Sequence, residues 1–247
     1  VTESGKWSRG VSGTVRRAVD PSSGGDDAPL PPEGDAHAAI EAHFTRVVGL
    51  PAYELHDVAS PNVKVHIHVV APSPAHRAWT LYTTGMSDAP MLLPRGIDAA
   101  ARAEVMIRLP PSWPAGRGAL DAGRGSWPLR WLKQLARLPQ DFDTWLGPGH
   151  TVPNGEPAAP LGPGTKQCCV LVTEPESLPA EARVMRLGSG EVIAIYALVP
   201  IYEDEMDLKL REGAAALASR LAAAGVGDLV DPARRSVAGR AKLFGLF

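Results

Sequence analysis

Apolar residues recur along this chain at two periods, one helical and one strand-like, separated by breaks rich in Gly and Pro. Ala36, Ile40, Phe44 and Val47 keep helical spacing after Asp35, an N-cap residue type, and Gly49, Leu50 and Pro51 end the run. Val63, Val65, Ile67 and Val69 alternate with Lys64, His66 and His68, which predicts a half-buried strand closed by Pro72 and Pro74. Trp79, Leu81 and Thr83 alternate with Thr80, Tyr82 and Thr84, a β-branched and aromatic pattern that predicts a second strand. The short connection predicts antiparallel pairing of the two. Residues 92–102 read as a connection or short helix. Residues 103–109 read as a third strand, with Val105, Ile107 and Leu109 on one face and Pro110 and Pro111 beyond.

Ser126 is placed to cap a helix with Pro128 in its first turn. Trp127, Trp131, Leu135 and Leu138 share one face of it, and Pro139 is expected to break it. A short turn with Phe142, Trp145 and Leu146 follows. At helical spacing these tryptophans fit core packing better than a ligand box. Residues 168–173 and 191–199 are nearly continuous apolar runs, expected as central strands covered on both faces. Residues 183–187 with Gly188, Ser189 and Gly190 predict a hairpin into the second run. From Glu203 to Gly225 one long helix is expected, with Met206, Leu210, Gly213, Leu217 and Leu221 as its inner stripe. Glu203, Asp204, Glu205 and Asp207 place negative charge at its positive end, which fits dipole compensation better than a metal site.

The stretch after Trp79 carries the most information. Gly85 breaks the strand, Met86, Ser87 and Asp88 follow, and Pro90 closes the turn. A rigid strand thus delivers a polar loop, the usual place for binding residues. Ser87 and Asp88 are expected to fix the loop through local hydrogen bonds. The whole pattern predicts one α+β domain over residues 35–233, a mixed, largely antiparallel sheet with helices packed on it. Residues 1–34, rich in Pro, Gly and Ser, read as a disordered tail and linker, and 234–247 as a basic C-terminal tail.

Composition narrows the class. Apolar residues make up 45% and charged residues 21% of the 247, the profile of a soluble globular chain. A formal net charge of −2 argues against nucleic acid as the partner, since duplex binders carry a basic footprint. No apolar run is long enough to span a membrane. Cys168 and Cys169 are adjacent, so a strand would send them to opposite faces as free thiols, which points to a reducing cytoplasm.

Catalytic motifs are missing. There is no G-x-S-x-G, no G-x-G-x-x-G and no Walker-type loop. Two alternatives remain for an enzyme: Ser87, Asp88 and His150 as a nucleophile and base, or His66 and His68 as ligands of a metal. Only two ligands have metal-binding spacing, so no metal and no cofactor are expected, and no catalytic residue is assigned.

Several segments resemble the Suppressor of Fused family in order and spacing. They are Thr84 to Asp88 with Met91; Glu104 and the strand around it; Ser112, Trp113 and the helix from Trp127; Gly149, His150 and Thr151; residues 171–175; and Val199, Pro200 and Ile201 with Glu203 and Glu205. The resemblance covers roughly residues 35–233 and looks like the single-domain bacterial type. It implies a non-catalytic protein-binding domain. Animal members sequester zinc-finger transcription factors, and bacterial members are associated with immunity against secreted toxins through stoichiometric binding. It also implies Gly85, Met86, Ser87, Asp88 and Met91 as partner-binding residues. Glu104, Trp127, Gly149, His150, Pro200, Glu203 and Glu205 are implied as structural motif residues. Asp88 is followed by Ala89, Pro90 and Met91 rather than by the animal pattern, so the animal partner is not carried over. The expected partner is a protein, a toxin in the immunity reading.

Overall fold

A computed structural model describes residues 8–9, 15–16, 35–56, 63–120 and 125–239. Within residues 1–34 it describes only the backbone pairing of β1 (Ser8–Arg9) with β2 (Val15–Arg16), and 240–247 of the expected basic tail lie outside the described residues.

The body is an eight-stranded sheet. Its strands are β3 (Tyr53–His56), β4 (His66–Val70), β5 (Trp79–Thr84), β6 (Arg102–Leu109), β7 (Thr151–Pro153), β8 (Cys169–Thr173), β9 (Val184–Arg186) and β10 (Val192–Ile201). They run in the order β3-β4-β5-β6-β10-β8-β7, and β9 pairs with β10. All the pairings in this sheet are antiparallel except β6 with β10. The ten residues of β10 organise the sheet: Val192 to Ala194 pair with β9, Ile193 to Ala197 with β6, and Ala197 to Ile201 with β8. Pro200 lies where β10 has run past its last β6 partner, Met106, a position that tolerates a residue without a backbone N–H. This is the expected α+β class, with the expected hairpin and the two expected central strands.

Helices cover both faces. On one, α2 (Trp127–Asp141) lays Trp131, Leu132 and Leu135 on Leu81, Val105, Ile107, Tyr196 and Leu198. On the other, α1 (Asp35–Val47) sets Ile40 and Phe44 against Val70, Tyr82, Met106 and Ile195. Phe44 stacks on Tyr82 with ring centroids 3.8 Å apart. Beside them, α3 (Glu203–Glu212) and α4 (Ala214–Ala223) cover Cys169, Leu171, Val199 and Ile201. Trp113 meets Trp127 edge-on at 5.7 Å, so the tryptophans build the core. The cysteines are free, buried thiols.

Four local expectations are corrected. The strand through Ile67 is not half-buried: α1 covers its second face, and His68 is buried with Val70. The α2 helix continues through Pro139 to Asp141, because a proline in the last turn costs one backbone bond rather than a helix. The long C-terminal helix is two helices. Gly213 sits between them at φ 92 and ψ 164, outside the helical region, and the buried face of α3 is Glu205, Met206, Leu208 and Lys209. Arg234, placed by sequence in a tail, is held in the body by Glu205.

Candidate partner-binding site

The loop after β5 is built from behind. Gly85 has φ 104, and a Cβ placed on it would lie 2.0 Å from the Lys64 carbonyl oxygen, so only glycine lets the chain turn there. A single 3₁₀ turn, Met86–Asp88, follows. Met86, Ser87 and Met91 are buried, so their side chains face the core. This corrects their expected place on the contact surface: they support the loop, and Asp88, Ala89 and Pro90 are the parts that reach solvent.

Glu104 anchors the loop. The register of β5 with β6 runs from Trp79↔Leu109 to Tyr82↔Met106. Beyond it the Thr83 hydroxyl accepts the Val105 N–H at 3.0 Å. The opening holds the fully buried Glu104 carboxylate, which accepts from Ser87 N at 3.0 Å, Ser87 Oγ at 2.6 Å and Thr83 Oγ1 at 2.6 Å. Burial pushes the Glu104 carboxyl up to about 7, against the hydrogen bonds from Ser87 and Thr83 that favour the anion. Arg102, two residues earlier on β6, donates through its guanidinium to the carbonyls of Ser87 at 2.7 Å and Asp88 at 2.8 Å, and pairs with Glu191 at 2.8 Å. From α1, His37 Nε2 donates to Asp88 Oδ1 at 2.9 Å. From α2, Gln140 Nε2 donates to the Ala89 carbonyl at 3.1 Å. Three separate elements therefore fix one short loop, and Pro90 and Leu92, which continue the chain from it, are exposed.

The proposed nucleophile set is not assembled. Ser87 is committed to Glu104 and Asp88 to His37. His150 packs against Trp145, ring centroids 4.2 Å apart, and burial with the nearby Lys209 charge pushes its pKa down to about 4. Gly149 and His150 instead shape the entry to β7: Gly149 N donates to the Val172 carbonyl at 2.8 Å, and His150 is buried. His66 and His68 do share one face of β4, and β3 brings Glu54 and His56 beside them.

The remaining motif residues lie at the starts of α2 and α3. Trp127 is buried at the start of α2. Glu203 opens α3 and is exposed, whereas Glu205 is buried and reaches back to Tyr202 N at 2.9 Å and to Arg234 at 2.6 Å. Sequence reasoning missed His37, Arg102 and Gln140. Arg102 had one signal, its place two residues before Glu104 on the same strand; the other two contact the loop only through the tertiary fold.

The family model described as Suppressor of fused protein (SUFU) matches residues 61–235. No curated protein matches the chain. Among solved structures, the Sufu–Fu complex crystal structure matches with a TM-score of 0.58 at 15% identity, covering 85% of this chain and 93% of that one. A SUFU (suppressor of fused protein) homolog from Neisseria gonorrhoeae FA 1090 matches with a TM-score of 0.62 at 15% identity, covering 83% and 98%. Drosophila Suppressor of Fused matches with a TM-score of 0.56 at 15% identity; the match covers 82% of this chain and 51% of that one, so this chain spans about half its length. At that identity the structures speak for the fold, and it is the family model, spanning more than two thirds of the residues across the β4 to α4 body and the loop that Glu104 anchors, that establishes that the chain belongs to the Suppressor of fused family.

Proposed function

We propose that this chain is a non-catalytic protein-binding domain that acts by stoichiometric capture of a protein partner, through the loop of Asp88, Ala89 and Pro90 and the exposed, apolar Leu92 that follows it. The observation that carries this is the pinning of the loop by Glu104, Arg102, His37 and Gln140. Polar groups that an enzyme would leave for chemistry are spent on loop shape, and a preorganised loop binds without a large ordering cost. The fold shared with a protein solved as the Sufu–Fu complex supports a protein partner. Among the described residues no helix is long and apolar enough to cross a membrane. The finer reading, implied by the resemblance to bacterial members, is an immunity protein that neutralises a toxin in the cytoplasm.

Asp88→Ala separates binding from folding. It removes one part-buried hydrogen bond from His37, worth about 1 kcal/mol of stability. In a central contact loop the same change is expected to cost about 2 kcal/mol or more of affinity, some 30-fold. The measurement is a denaturant melt beside calorimetric titration with the product of the neighbouring gene. A variant that binds normally and melts several kcal/mol early would make the loop purely structural.

A further inference from the structure

We propose that Glu54, His56 and His66 form a binding site for one divalent transition-metal ion of the zinc class. The three sit on one face of the β3–β4 ladder. In its antiparallel register His56 lies directly opposite His66, and Glu54 opposite His68. Residues so paired project from the same face with their side chains in reach of one another. His56 Nδ1 is 3.0 Å from His66 Nδ1, His66 Nδ1 is 2.7 Å from Glu54 Oε1, and His56 Nδ1 is 3.7 Å from Glu54 Oε1. Each residue thus offers one ligand atom within a single small triangle. Two ligands bound at ~2.1 Å to a tetrahedral ion lie ~3.4 Å apart, the range spanned by these separations.

These three atoms have at most one N–H from His66 to share among them. If His66 Nδ1 carries a proton, it faces two acceptors, Glu54 Oε1 and the lone pair of His56 Nδ1, with one N–H. If it carries none, His66 and Glu54 turn lone pairs on each other. A cation shared by all three atoms engages one lone pair of each at once. Imidazole and carboxylate together are the donor set that zinc accepts in sites keeping an open position. The neighbours fit the role of support. His68 Nε2 is 3.1 Å from the Thr84 hydroxyl and lies 4.0 Å from Glu54 Oε1. His37, which holds Asp88, meets the His66 ring edge-on at 5.6 Å, so the proposed site adjoins the loop without sharing a ligand with it.

The test is calorimetric titration of the intact, chelator-stripped chain with Zn²⁺ alone at pH 7.5, with His66→Ala, Glu54→Gln and the His56→Ala/His66→Ala pair alongside. Glu54 and His56 are exposed on the edge strand and His66 is part-exposed on the next one, and far-UV dichroism and melts check that each variant keeps its fold. The expected result is one saturable site per chain, weakened about ten-fold or more by either single change and abolished by the pair. A chain without a saturable site overturns the proposal. So does a site of undiminished affinity in the paired variant, which would put the ion elsewhere.

Discussion

Glu205→Ala is expected to lower the unfolding free energy by about 3–5 kcal/mol, a large part of the roughly 5–15 kcal/mol that holds a domain together. Glu205 is fully buried at the third position of α3. Its two oxygens accept from both terminal nitrogens of Arg234 at 2.6 Å, from Tyr202 N at 2.9 Å and from Val237 N at 2.8 Å. Arg234 also donates to the Pro200 carbonyl at 2.9 Å, and its guanidinium lies over the Tyr202 ring. Removing the carboxylate strands a nearly buried guanidinium and two backbone donors, and it frees residues 234–238 from the end of the sheet. The cost is one of broken pairing rather than of lost attraction. Replacing both Glu205 and Arg234 with Met should therefore recover much of it, since a buried ion pair often contributes little beyond an apolar pair of similar volume. Urea melts of the two variants beside the native chain measure this directly. A loss under 1 kcal/mol for Glu205→Ala would mean that solvent reaches the pair.

The second large effect is at Glu104. Glu104→Ala leaves Ser87 N, Ser87 Oγ and Thr83 Oγ1 without their buried acceptor, at an expected total cost of about 3 kcal/mol or more. Glu104→Gln should cost much less. Its oxygen can still accept both Ser87 donors, while its amide can donate to the Thr83 hydroxyl, which keeps the Val105 carbonyl as acceptor at 3.2 Å. The two proteins then differ in pH dependence. The native carboxyl titrates near 7, against 4.5 for the ordinary group, so between those values the folded state binds more protons than the unfolded one. The stability conferred by the neutral acid is complete below pH 4.5 and is lost as pH rises through 7. Relative to Glu104→Gln, the native protein should lose on the order of 3 kcal/mol across that window. Parallel stability curves from pH 4.5 to 7.5 would show that Glu104 keeps an ordinary pKa in the fold.

Much of this architecture was legible because period and punctuation agree locally. The β5 alternation ends at a glycine that the backbone does require, and α1 and the strands β8, β9 and β10 follow from apolar spacing. What escaped depends on partners far along the chain. The strand Tyr53–His56 is four residues long, too short for its alternation to stand out, and its pairing with β4 is what gathers the histidines. Ser87 was legible as a loop-fixing residue but not as an inward one, since its acceptor Glu104 lies 17 residues on. The acidic run at 203–207 reads as dipole compensation until Arg234 is found against Glu205. Gly213 fits a helical stripe by spacing, and only its backbone angle reveals the break.

Stoichiometric capture and turnover differ in their endpoints, and a titration of the partner's activity separates them. The protein assayed is the product of the neighbouring gene, after increasing equivalents of the intact chain. The expected result is a linear loss of partner activity that reaches its floor at one equivalent, with the same endpoint after minutes and after hours. An endpoint far below one equivalent that keeps falling with time would mean that each chain inactivates many partner molecules, which is turnover and not capture.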